Sequence, residues 1–66
     1  MKIKEGFYLS PCKKHKAHVE IVHANDEDYE IKIYWLNESE DVCADMKIFN
    51  PDTFFIVMSG WERLEE

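Results

Sequence analysis

Cys12, His15 and His18 stand three apart, as C-x2-H-x2-H, with His23 following and Cys43 further along. Thiolate and imidazole are zinc donors, and a bound metal can stabilise a small fold. Structural zinc sites pair two short chelating motifs, however, and this chain has one. With His15 in a polar connection, and His18 and His23 an odd number of residues apart on one extended strand, the last two point to opposite faces. Solvated histidines are therefore expected, with no metal and no other cofactor. Lys13, Lys14 and His15 also place cations beside the Cys12 thiol, which lowers its pKa and makes it reactive where exposed. Reactivity is not catalysis: no acid partner stands nearby in the sequence, and a domain this small leaves little room for a substrate pocket. The expectation is a protein that is not an enzyme.

Carboxylates form two clusters, Asp26-Glu27-Asp28 and Glu38-Ser39-Glu40-Asp41. Neither has the spacing or the glycine of a calcium-binding EF-hand loop. The plain expectation is hydrated turns. The sharper one is that Glu38, Glu40, Asp41 and Asp45 join in one negative surface that docks a basic groove or imitates a phosphate backbone. Net charge is −6 over 66 residues, unevenly laid out. Five lysines and one glutamate leave +4 on residues 1–16, whereas three basic and thirteen acidic groups leave −10 on residues 17–66. An acidic body repels nucleic acid and steers basic protein surfaces toward itself. The run Lys13-Lys14-His15-Lys16, with Tyr8 and Tyr34 available to stack bases, could contact phosphates. A nucleic-acid-binding barrel shows basic residues over a whole face, so nucleic acid ranks below protein as a partner. The same run could equally pair with the acidic turns of its own chain or of a second copy.

Four Phe, three Tyr and two Trp are more aromatic surface than one small core absorbs. Phe7, Trp35 and Phe54 take inward positions in the alternation, which leaves Tyr8, Tyr34, Phe49, Phe55 and Trp61 as surplus. Surplus aromatic surface marks an interface. The candidate binding residues are thus Tyr8, Tyr34, Phe49 and Trp61 as anchors, with Glu38, Glu40, Asp41 and Asp45 around them.

Strands must position these groups. Tyr29, Ile31, Ile33 and Trp35 alternate with Glu30, Lys32 and Tyr34, the two-residue period of a half-buried β-strand. Val19 and Ile21 alternate in the strand before it, from Ala17 to Ala24. Val42, Ala44, Met46 and Ile48 alternate in the strand after it. Asn25-Asp26-Glu27-Asp28 and Asn37-Glu38-Ser39-Glu40 have hairpin-turn chemistry, so the three strands form a meander. Ile3, Phe7 and Leu9 share a face in a first strand that Gly6 bends and Pro11 ends. Asn50-Pro51-Asp52-Thr53 predicts a turn, with a 3₁₀ turn as one form of it. Phe54 to Met58 is an apolar run too short for a helix and is expected as strand five. Trp61 and Leu64, three apart, predict a short helical turn at the end.

Five short strands over these segments, with a 3₁₀-prone turn before the last, resemble the small SH3-like barrels of the Tudor and chromo-barrel type. The chain has neither the ALYDY-like segment nor the paired tryptophan of SH3 peptide-binding domains, so proline-rich recognition is not implied. Tudor-type barrels hold methylated lysine or arginine in aromatic cages, and no matching cage motif is present. An OB-like barrel, or an open sheet with a C-terminal helix, fits the same pattern. The expectation is one all-β domain over residues 1–66, a five-stranded antiparallel SH3-like barrel that binds a protein partner. No segment approaches the roughly 20 apolar residues of a membrane span. The N-terminal MKIKEGF lacks the apolar run of a signal peptide, and two cysteines make no disulfide framework, which predicts a cytoplasmic protein.

Overall fold

The computed structural model describes residues 3–24 and 29–64. Its elements are β1 (Gly6–Leu9), β2 (Lys16–Ala24), β3 (Tyr29–Leu36), β4 (Val42–Ile48), α1 (Pro51–Val57) and β5 (Glu62–Arg63). Every pairing is antiparallel and the spatial order is β4-β3-β2-β1-β5. The fold is mostly sheet with five antiparallel strands, the number expected, although the fifth is Glu62–Arg63 and not Phe54–Met58. It does not close into the expected barrel: β4 and β5 remain as two edges. The expected turn at Asn25-Asp26-Glu27-Asp28 lies outside the described residues.

Register stacks the apolar set into rows on one face. Ala17 pairs with Trp35, Val19 with Ile33 and Ile21 with Ile31, and Ile48 pairs with Ile31 on the other side. Ala17, Val19, Ile31 and Ile33 are fully buried there, with Tyr8, Ile48, Phe54 and Met58 closing the cluster. Among the described residues no buried side-chain nitrogen or oxygen lacks a hydrogen-bond partner.

Phe54–Met58 is mostly helical, not the fifth strand. Asn50 caps the helix by accepting a hydrogen bond from the Asp52 amide at 2.8 Å, Pro51 opens the first turn and Asp52 adds a negative charge there. Those are strong N-terminal helix signals. Phe54 and Met58, four apart, fall on one helical face and enter the core, while Ile56 on the opposite face is 76 % exposed. So short a helix is held by packing rather than by propensity. The expected 3₁₀ turn is its first turn. After it, Gly60 takes a left-handed φ of 83°, and its Cα lies so near Pro11 that a Cβ would meet the ring at 3.0 Å. The tail then extends instead of coiling. Glu62–Arg63 pairs with Leu9 and Tyr8 as β5, and the Leu64 amide donates to the Phe7 carbonyl at 2.8 Å.

Gly6 reverses the expected facing of β1. Its φ of 132° shifts the alternation by one residue, so Ile3 and Tyr8 point into the core whereas Phe7 turns to the other face. The Arg63 guanidinium covers the glycine: a Cβ would sit 3.3 Å from Nε and Nη2, and Nε donates to the Glu5 carbonyl at 2.9 Å.

Gly6→Ala combines a strained φ with displacement of Arg63, and urea unfolding is expected to show a loss of about 1–3 kcal/mol. Phe54→Ala is expected to cost about 3–5 kcal/mol. Ile56→Ser should leave the midpoint nearly unchanged. In a strand Phe54 and Ile56 would share a face, so a comparable loss on Ile56→Ser would mean that the segment is not helical.

Candidate interaction surface

The sheet face away from α1 carries three cross-strand rows. One runs Phe7, His18, Tyr34, Asp45; a second runs Glu20, Lys32, Lys47; a third runs Leu9, Lys16, Leu36, Val42. The first row is the most organised. Phe7 and His18 have ring centroids 4.8 Å apart, and His18 and Tyr34 stack at 6.1 Å with an interplanar angle of 25°. Lys32 Nζ lies 5.7 Å from the Tyr34 ring centroid, and the Tyr34 hydroxyl donates to Glu20 Oε2 at 3.2 Å. A cation over the ring and an acceptor at its tip restrain the tyrosine before any partner arrives, so less side-chain freedom is lost on contact. Phe7 remains 37 % exposed at the start of the row. Among the described residues α1 packs on the other face; on this one Phe7 is exposed, His18 and Tyr34 are half-buried and Leu36 is buried.

The acidic turn sits at one end of the sheet. Asn37 organises it: the side-chain oxygen accepts from the Ser39 and Asp41 amides, each at 2.9 Å, and its backbone bonds to Glu40 and Asp41. Glu40 takes a left-handed φ of 64° and reaches Lys16, with Nζ to Oε1 at 2.7 Å. The hydrogen bond from Lys16, with its charge, holds the Glu40 carboxyl below the usual carboxylate range. Lys14 and Lys16 line a shallow cleft of about 240 Å³ with Asn37, Glu38, Ser39 and Glu40. The acids Glu38 and Glu40 are therefore interleaved with Lys14 of the β1–β2 loop and Lys16 at the start of β2. Asp41 is exposed in the same turn, while Asp45 lies on β4 in the aromatic row.

The four aromatic residues expected as one anchor surface are dispersed. Tyr34 is on the open face. Tyr8 is buried in the core, a correction that follows from the Gly6 phase shift. Its hydroxyl donates to the Lys4 carbonyl at 2.6 Å and its ring meets the edge of Phe54 at 6.2 Å. Burial pushes the Tyr8 phenol up, opposed by the nearby Arg63 cation. Trp61 packs against Trp35 at 5.5 Å on the core side. Phe49 is 65 % exposed in the link between β4 and α1. The residues the sequence reading missed are Phe7, placed inward there, and His18, read there as a solvated histidine. Gly6 beside two aromatic residues was the available signal, since a glycine can change which of the two faces the core.

A second cleft, of about 220 Å³, opens between α1 and the β1 side of the sheet, lined by Tyr8, Phe54, Phe55, Met58 and Trp61 together with Ile3, Lys4 and Arg63. That falls below the roughly 300–1,000 Å³ of small-molecule sites. Cys12 and Cys43 are exposed free thiols. Cys12, His15 and His18 do not converge: among the described residues no three His, Cys, Asp or Glu side chains are grouped as metal ligands. No helix among the described residues is long and apolar enough to cross a membrane. No protein-family model, curated protein or solved structure matches the chain.

Cys12 lies 3.1 Å from the Ser10 hydroxyl, which also accepts from the His15 amide at 3.1 Å. That contact first, then the Lys14 amide, draws the Cys12 thiol below its ordinary pKa. Cys43 instead donates to the Trp35 carbonyl at 3.2 Å. Iodoacetamide labelling followed by mass spectrometry is expected to modify Cys12 several-fold faster than Cys43, because the thiolate is the nucleophile. Ser10→Ala should narrow the difference.

Proposed function

We propose that this chain is a non-enzymatic binding module that takes a protein partner on its open sheet face, with Phe7, His18 and Tyr34 as the anchor. The observation that carries the reading is the continuous row of three rings across β1, β2 and β3 on the face away from α1. Aromatic groups at the centre, surrounded by charged and polar side chains, are the anatomy of protein interfaces. Lys16, Lys32 and Lys47 share the face with Glu20 and Asp45, so charges of both signs surround the rings. That mixture favours a protein over nucleic acid, which needs an excess of cations. The acid-rich remainder of the chain then steers a partner whose own rim is basic.

Imitation of a phosphate backbone is the runner-up, and the Lys16–Glu40 pair weighs against it. A lysine bonded within the acidic turn interrupts the negative surface such an imitation needs. On the leading reading Glu38 and Asp41 act on encounter rather than on holding. The surface is a regulator's docking face rather than a reaction site.

With the native chain immobilised, a partner retained in moderate salt should be lost by tenfold or more in affinity on Phe7→Ser or Tyr34→Ser, the scale of one interface hot spot. Changing Glu38 and Asp41 to Ser should weaken capture mainly at low salt. If both aromatic variants bind as the native chain does while the acidic variant does not, phosphate imitation replaces this reading.

A further inference from the structure

The two edges of the sheet are treated differently. β5 offers two residues, and so short an edge templates little. β4 offers seven, of which six are exposed. Its pairing with β3 is broken at Cys43, the unmatched residue between Ala44 opposite Trp35 and Val42 opposite Leu36. The regular part of the edge is therefore Ala44–Ile48, bounded by that irregularity on one side and by the turn into α1 on the other. Met46 is its midpoint.

Among the described residues the charges on this edge form no ion pair. Lys47 stands directly opposite Lys32, a like-charged cross-strand pair, and Asp45 stands opposite Tyr34. Like charges placed so oppose pairing. Among the described residues the ion pair is Lys16–Glu40, at the end of the sheet and not here. Asp45 and Lys47 are two apart, so both project to the open face. Met46 and Ala44 project to the core face, where Met46 is 40 % exposed beside Ile33 because α1 leaves it uncovered.

We propose that β4 pairs antiparallel with β4 of a second copy of the chain, about a two-fold axis through Met46. In that register Asp45 of each copy meets Lys47 of the other, twice, on the open face. On the core face Met46 meets Met46, and Ala44 meets Ile48. A shift that sets the axis at Asp45 would oppose Asp45 to Asp45, and one at Lys47 would oppose Lys47 to Lys47. The charges thus select one register among the neighbours that keep the faces aligned. The occupant is a second copy because the strand complements itself: a two-fold interface requires one patch to match its own image, and the sequence Ala-Asp-Met-Lys-Ile does so in charge and in apolar facing. The two sheets become one continuous sheet with the exposed edge removed. The rings of Phe7, His18 and Tyr34 stay open on both copies, while Asp45, at the end of their row, is taken up at the seam.

Sedimentation equilibrium of the full chain over micromolar to millimolar concentrations tests it, with circular dichroism confirming that each variant keeps its strands. The native chain should dimerise reversibly. Asp45→Lys and Lys47→Asp should each raise the dissociation constant on the order of tenfold or more, since both cross-strand pairs turn repulsive. The double variant Asp45→Lys with Lys47→Asp should recover the native value. An equimolar mixture of the two single variants should form a mixed dimer, because each then supplies the charge the other lacks. A monomer at every concentration overturns the proposal, as does a dimer that both single variants leave undiminished. Weakening by the single variants without recovery in the mixture overturns the register.

Discussion

A helix of seven residues covers a sheet of five strands, and it reaches one side of that sheet incompletely. Phe54 and Met58 seal the centre, where Ala17, Val19, Ile31 and Ile33 lose all contact with water. At roughly 1.5–3 kcal/mol for each fully buried apolar side chain, that centre is what sustains so short a chain. Everything outside the helix's reach remains at the surface: the far face with its aromatic row, the outer strand with Met46, and Phe49 in the link. The interaction surfaces are consequences of incomplete cover rather than additions to a finished core.

How far the sequence foretold this varied with the element. β2, β3 and β4 were readable because each is seven residues or longer and alternates over most of its length. Register nevertheless breaks at Val22 and Cys43, and the second break puts Val42 on the face opposite to Ala44, Met46 and Ile48. The N-terminal strand has four residues, too few to fix a phase, and a glycine at positive φ sits where the phase is decided. Tyr8 and Phe7 therefore exchange roles. The Phe54–Met58 run offered both faces to burial, so its apolar content could not separate strand from helix. Asn50, Pro51 and Asp52 could have done so, as a cap, a first-turn proline and a first-turn acid.

The candidate surface was read less well, for a related reason. Tyr34 and Asp45 were singled out individually, but cross-strand adjacency depends on register, which a sequence without pairing information does not contain. Only once His18 is placed opposite both Phe7 and Tyr34 does a row exist. The acidic turn shows the same dependence. Glu40 meets Lys16, 24 positions earlier, because both lie at one end of the sheet. Charge counted along the chain was lopsided, and at this turn a lysine of the basic segment is paired in space with an acid of the other.

β5 pairs with β1, and Arg63 bonds to the Glu5 carbonyl across 58 positions. The strand at the start of the chain thus waits for a partner near its far end. During synthesis the meander of β2, β3 and β4 can assemble from neighbouring segments while the flank of β1 stays unpaired. The last step is then a long-range closure, slower than the hairpins before it. Until Glu62 and Arg63 dock, β1 is itself a bare margin, so two residues of β5 act as a seal whose loss would leave the sheet open to clumping on both flanks.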